Sequence, residues 1–400
     1  MVTSPSSQTS ATSAENYIER RSKELLKKYR GTRSKRLHMA EQLLEASQYE
    51  LMLVKFKKHK LAQISFWLLV AMYLLAVFAD FIAPYSPLTR FGDLVFAPPS
   101  AIHIRDDAGN YRTPFIYPRV SELDEVTYIY KFVEDTQNPL PVHFFVKGEP
   151  YKMWGLVPGD LHLFGIDSDM PFFLLGSDNL GRDMFSRIIY ASRVSLFIGF
   201  GGVLISFFLG ILLGGISGFF GGVVDLLIQR LIEFIMSIPQ IPLWMALSAA
   251  IPQEWTGIQK FLAITLILSL VGWTGLARVV RGKIISLREE DYVTAAKISS
   301  ASNMAIIFRH LLPGFTSYLI VHITISIPGM ILGETTLSFL GLGITPPNVS
   351  WGSLLQQAQD MTVIGYYPWL LVPCAAIILA VILFNFLGDG MRDAADPYTR

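Results

Sequence analysis

A chain that hydrolyses nucleotide needs Gly, four residues, then Gly-Lys-Ser/Thr, because backbone amides and the lysine cradle phosphate while the hydroxyl holds magnesium. The nearest run here is "ARVVRGKI", with Ala277 at the first glycine position and Ile284 at the hydroxyl position. The expectation is therefore that this chain binds no cofactor, neither ATP nor magnesium. A nucleophile elbow needs Gly-x-Ser-x-Gly; "GISGF" supplies Gly215 and Ser217 but ends on Phe219. A Ser/His pair assembled across helices stays open from spacing alone. The histidines are His38, His59, His103, His143, His162, His310 and His322, and none forms a His-x-x-x-His pair with an acidic partner, so no metal site is expected. The single cysteine, Cys374, excludes an intrachain disulfide and a cysteine cluster. More informative are polar groups inside apolar runs: Arg230 and Glu233 in "LIQRLIEFIMSIP", Glu334 in "ILGETTLSFLG" and Asn385 in "VILFNFLGDG". Arg230 and Glu233, three apart, can share a helix face. Each of these groups is expected either to pair within a bundle or to line a water-filled route, because an ionisable group in lipid is costly. A proton relay would need denser carboxylates.

The elements that must position these groups are apolar spans. Of 400 residues, 52% are hydrophobic and 16% charged, with mean hydropathy +0.42; soluble domains carry roughly 25% charge. The net charge of +1 points to no nucleic-acid partner. Residues 1–60 hold 13 Lys+Arg against 6 Asp+Glu, while residues 83–190 hold 9 against 14. Basic flanks stay in the cytoplasm. Residues 1–60 read as a cytoplasmic arm, either a solvated amphipathic helix or partly disordered, with no early apolar core of the secretion-signal kind. The first span is 61–82, preceded by Lys55, Lys57, Lys58 and Lys60. Residues 83–192 form an extracytoplasmic segment, where "VTYIYKFVED" and "PVHFFVKG" read as strands around "TQNPLP". Residues 193–390 form a membrane core, with further spans at Val194–Phe220, Val223–Ile251, Phe261–Val279, Phe315–Leu342 and Tyr367–Leu387. About six spans return the C-terminal tail, 391–400, to the cytoplasm. The fold class is all-α and polytopic, with a mixed or β insert between helices 1 and 2. "GGVLISFFLGILLGGISGFFGG" supplies glycine for close helix approach in lipid, and "SGFFGG" a tight turn. Trp273 and Trp351 read as interfacial anchors.

Between the fourth and fifth spans lies a loop, 280–313, that stays polar: "REEDYVTAAKISSASNMAIIFRHLLP". A mere connection needs only a few turn residues. Helical spacing places Ala295, Ser299 and Ser302 near one side. Ser300 and Ser302 cap better than they fill helix interiors, so a bend and a second short helix, "NMAIIFRHLL", are expected. Pro313 fits the first turn of the next span, where no amide donor is needed. Two readings remain: an amphipathic helix on lipid headgroups, or a docking knob for a cytoplasmic partner.

This stretch resembles the cytoplasmic loop of the permease subunits of type I ABC importers, whose pattern is Glu-Ala-Ala, three residues, Gly, nine residues, Ile, one residue, Leu-Pro. Ala295, Ala296, Leu312 and Pro313 match, while Thr294 replaces Glu, Ser300 replaces Gly and His310 replaces Ile. "LLGSDNLGRDMFSRIIYASRVSL", "SGFFGGVVDLLIQRLIEFIMSIP", "ETTLSFLGLGITPPNVSWGSLLQQAQ" and "FNFLGDGMRDAADP" look like landmarks of the dipeptide/oligopeptide group, in order, and are similar to its C-type subunit. The resemblance implies an inner-membrane permease that pairs with a homologous B-type permease, two cytoplasmic ATPases that carry the ATP and magnesium, and an extracytoplasmic solute-binding protein. Membrane lipid surrounds it, and the chain itself is not an enzyme. Its site would be the ATPase-coupling loop, Thr294, Ala295, Ala296, Ser300, His310, Leu312 and Pro313. Against this stand an intramembrane hydrolase, active as a single chain, and an ion channel, conducting without ATP. The expected outcome of Ala296→Glu is intact insertion with loss of ATPase association, checked by co-purification.

Overall fold

The computed structural model describes residues 48–105, 111–123, 130–168 and 170–395. The arm through residue 47 and residues 396–400 of the tail lie outside them. Helix α1 is Gln48–Phe56, and α2, Lys60–Val77, is the first pass. The bundle continues with α3 (Met184–Phe220), α4 (Gly222–Ser237), α5 (Gln240–Ala249) and α6 (Gly257–Leu287). It is completed by α7 (Asp291–Ile298), α8 (Thr316–Phe339), the short α9 (Trp351–Leu355) and α10 (Val372–Ala395). Among the described residues five helices are long and apolar enough to cross a membrane, and six passes result if α4 and α5 count as one.

The expected single span Val223–Ile251 is broken: α4 and α5 meet at 86°. The cause is Pro239, which has no amide to donate and pushes Ile238 into extended backbone, φ −93° and ψ 128°. At 37 residues α3 is about 56 Å long, well beyond a hydrocarbon core of about 30 Å. Its first turns therefore stand outside the lipid, where Arg187 and Arg193 sit.

The glycine-rich run packs as its composition predicts. Along α3, Gly210 meets Leu276 and Gly218 meets Arg281, both residues of α6. At Gly214 a Cβ would come within 2.4 Å of the Ala277 carbonyl oxygen, so only glycine fits. The paired positions rise together, so α3 and α6 run parallel with their backbones in contact. The "SGFFGG" turn is built on positive φ at Gly221 (66°) and Gly222 (55°), as expected.

Trp273 and Trp351 are not interfacial anchors; both lie in the bundle core, Trp351 only 1% exposed. Trp351 donates its indole N–H to the Ile188 carbonyl at 3.2 Å and its backbone N–H to the Ser195 hydroxyl at 3.1 Å. A buried indole is tolerated where that one donor is satisfied.

The insert after the first pass is β. Strands β1 (His103–Arg105), β2 (Tyr111–Ile116), β5 (Leu140–Met153) and β6 (Val157–Ile166) make an antiparallel sheet in the order β1-β2-β5-β6. The hairpin of β3 (Arg119–Leu123) and β4 (Tyr130–Glu134) stands apart. The two expected strands exist, as β4 and part of β5, but in different sheets. The insert is tied to the bundle through Trp154, which donates to the Val77 carbonyl at 3.1 Å and lies under the Arg193 guanidinium, 4.3 Å from the ring centre. Arg193 also pairs with Asp80 at 2.8 Å.

A loop centred on Asp178 launches α3. Its carboxylate accepts from the amides of Leu180 and Arg182, both at 2.9 Å, and pairs with the guanidiniums of Arg182 and Arg187. Gly181, at φ 67°, passes the Phe91 carbonyl with no room for a Cβ. Asp183 caps α3 by accepting from Ser186 N–H at 2.7 Å, and complete burial lifts its carboxyl to about 6. Burial also pushes Asp178 upward, but Arg187 and Arg182 outweigh it and hold the carboxyl below its ordinary 3.8.

Asp178→Asn strands two buried guanidiniums and is expected to cost about 3–5 kcal/mol, measured as thermal unfolding in detergent. Because the folded carboxyl titrates below 3.8, its contribution is complete above that pH and disappears as pH falls further. The gap between wild type and variant should therefore close on acidification below 3.8.

Candidate functional site

The polar stretch after α6 folds as expected into a short helix, a bend and a second helical turn. Helix α7 ends in a Schellman motif: Ser300 N–H donates to the Lys297 carbonyl at 3.0 Å, and Ala301 N–H to the Ala296 carbonyl at 3.1 Å. Ser300 has φ 60°, the left-handed conformation that this motif normally gives to glycine. Ser302 then caps the turn Asn303–Ala305, accepting from Ala305 N–H at 3.3 Å. Residues Ile306–Leu311 form a π-helical turn and Leu312–Phe315 a 3-10 turn before α8. Pro313 sits in the first turn of that 3-10 segment, as predicted, but within a continuous helical path, Asn303–Phe339. It lacks a donor, and its ring would clash with the carbonyl of residue 309 in a regular α-helix, so the chain widens there.

One face of this segment is packed on the bundle. Val293, Ala296, Ile306, Ile307, Leu311 and Leu312 join Ile211, Leu276, Val280 and Ile284 in a second apolar cluster. The exposed side is mixed: Tyr292, Ile298, Met304 and Phe308, with Ile298 80% exposed, stand among Asp291, Lys297, Asn303 and Arg309. Thr294, Ala295, Ser300, His310 and Pro313 are also exposed. Ala296 is not, at 8%; its small side chain seats the segment on its own bundle.

The base of the segment is clamped by residues that motif reading passed over. Arg281 donates to both Asp225 oxygens, at 2.5 and 2.6 Å, joining α6 to α4. Ser217 donates to the same carboxylate, and Arg288 donates to the Gly218 carbonyl at 3.2 Å. A carboxylate just after a glycine turn and an arginine one turn beyond an apolar run were the available signals.

The four intramembrane polar groups are not brought together. Glu334 is fully buried, accepting hydroxyl bonds from Ser195 at 3.1 Å and Ser338 at 2.6 Å. Ser195 also accepts from Trp351 N–H, so this carboxyl locks α8, α3 and the start of α9 together. Arg230 and Glu233 do pair, at 2.7 Å, but on an exposed face of α4. Asn385 is exposed on α10. Elsewhere, α3, α5, α6 and α8 enclose a cavity of about 200 Å³ with Ser206, Gln240, Trp244, His322 and Ser326 in its wall. The buried Trp244 indole N–H has no partner among the described residues.

Five apolar passes, or six with the bent pair α4–α5 counted as one, and a bent, half-packed segment before α8 define a polytopic membrane protein. The chain belongs to the family described as binding-protein-dependent transport system inner membrane component, which matches residues 210–400; the N-terminal transmembrane domain of oligopeptide transport permease C matches residues 47–99. It is 38% identical to the dipeptide transport system permease DppC of Bacillus subtilis, over 56% of this chain and 68% of that one. It is 36% identical to the oligopeptide permease OppC of Haemophilus influenzae, over 57% and 71%. With DppC of Lactococcus lactis subsp. cremoris it shares 30% identity over 86% and 88%. A chain of the inward-facing MetNI methionine ABC transporter superposes with TM-score 0.42 at 18% identity, covering 53% of this chain and 98% of that one. The chain is thus a multi-pass inner-membrane transport component.

Two outcomes follow for the segment. Ser300→Gly relieves the left-handed strain and should stabilise the end of α7 by about 1 kcal/mol, read as slower hydrogen exchange at Ala301. Ala296→Glu buries a charge against the apolar cluster and should cost about 2 kcal/mol or more. It therefore unseats the segment itself, so a loss of partner binding by this variant would not report on docking alone.

Proposed function

We propose that this chain is half of the translocation path of an ATP-driven importer of peptides and that it performs no catalysis itself. The single observation that carries the reading is the bent segment Arg288–Pro313, with one face packed on α6 and the other exposed, where large apolar side chains stand among charged ones. Two cytoplasmic ATPases supply the motor. One grips Tyr292, Ile298, Met304 and Phe308, with Thr294, Ala295, Ser300 and His310 around them, while Ala296 and Leu312 hold the segment to the bundle. A handle transmits force only if its contacts differ between motor states. The Asp225–Arg281 clamp passes that force to α4 and to α6, and α6 walls the cavity.

The cargo class rests on the relatives' names, which are dipeptide and oligopeptide permeases. The cavity wall, polar at Ser206, Gln240, His322 and Ser326, is this subunit's share of the path. The exposed Arg230–Glu233 pair and Asn385 would be costly in lipid; a homologous B-type permease covers them. The segment, α1 and the end of α10 lie at the bundle end opposite the sheet. The lysines before α2 support placing that end, with both termini, in the cytoplasm. The β insert then faces outward, toward a solute-binding protein.

Ile298→Asp leaves the packed face untouched. It should reduce co-purification of the ATPase subunits at least tenfold and abolish ATP-driven peptide uptake into proteoliposomes, with permease yield unchanged. Normal association and uptake in this variant would refute the docking face.

A further inference from the structure

Helix α1, the start of α2 and the end of α10 enclose an apolar groove of about 720 Å³, within the size range of small-molecule sites. Leu53, Phe56, Phe66 and Trp67 form one wall, and Leu387 and Met391 the other. The groove is open: Trp67 is 68% exposed. Its walls approach closely: Gly390 lies so close to Ala62 that a Cβ there has no room, and His59 Nε2 stands 3.7 Å from an Asp393 carboxylate oxygen. Helix α1 is tied to α8 through the Ser317 hydroxyl, 3.2 Å from the Met52 sulfur.

The mouth of the groove carries more cationic than anionic groups, three lysines against the Asp393 carboxylate beside His59. Lys57 lies in its lining, and Lys58 and Lys60 are exposed beside it. These residues stand where α2 enters the hydrocarbon, so the groove runs from the headgroup level into the acyl level. An apolar wall rejects a polar solute, and three ammonium groups at its rim select a negative charge.

We propose that this groove is a binding site for a membrane phospholipid with an anionic headgroup. One acyl chain lies against Phe56, Phe66 and Trp67, and the phosphate meets Lys57, Lys58 and Lys60. Through Met52 and Ser317 the lipid braces α1 against α8, the helix that continues from the bent segment.

The test uses the full-length permease in phosphatidylcholine vesicles carrying a trace of photoreactive phosphatidylglycerol, with adducts mapped by mass spectrometry. Labelling of residues 52–67 should exceed that by photoreactive phosphatidylcholine about tenfold. The variant Lys57→Gln/Lys58→Gln/Lys60→Gln should lose that preference, while Lys57→Arg/Lys58→Arg/Lys60→Arg keeps it. Equal labelling by the two lipids, or an unchanged preference in the glutamine variant, overturns the proposal. So does capture of residues 1–47 rather than lipid when the exposed Leu53 is replaced by photoreactive benzoylphenylalanine, since the arm would then fill the groove.

Discussion

The close contact of α3 with α6 is the constraint on which this molecule depends. In a bilayer there is no hydrophobic drive to bring two apolar helices together, so association must come from packing. Glycine at 210, 214 and 218 lets the backbones touch along several turns. That contact aligns two long helices in parallel and sets the far ends of both at one level. The turn into α4, the Asp225–Arg281 clamp and the polar segment after α6 are all hung from that level. Any side chain at Gly214 would meet the Ala277 backbone and force these ends apart.

Charge is handled in three different ways across the bundle. Asp178 is surrounded by guanidiniums and amides and carries the start of α3. Glu334 has only hydroxyl donors and serves as a knot between helices. Arg230 and Glu233 satisfy each other while facing away from this chain's own core. The first two lie buried within the subunit, and the third is exposed on its side.

Much of the fold was legible because hydrophobic length and glycine spacing act locally. The passes, the glycine turn and the bend at Ser300 follow from residue types within a few positions. The break at Pro239 was equally visible as a proline, but a span drawn on length and overall hydropathy runs straight through it. The tryptophans were misplaced because residue type alone does not separate an anchor from a core residue: Trp273 lies midway along α6 and Trp351 opens the short α9, and both are buried. The inner set of the bent segment was partly inverted: Ala296 looked like a surface residue because it is small, yet Val293 and Ala296 share a buried face. Ile298, two residues on, stands on the opposite one. The cavity wall was not legible, since Gln240, Trp244 and His322 come from separate helices whose rotation no local pattern fixes.

The break between α4 and α5 has a consequence for solvation. A helix beginning inside a bilayer presents four amides without intrahelical acceptors, and hydrocarbon offers none. Here the N-cap is Pro239 and the third helical residue is Pro242, neither of which has an N–H. Two of the four orphans are thus deleted by the sequence, leaving Gln240 and Ile241. With Gln240 in the cavity wall, the elbow opens onto a space with polar walls, where water can take the amides that hydrocarbon would leave unpaired.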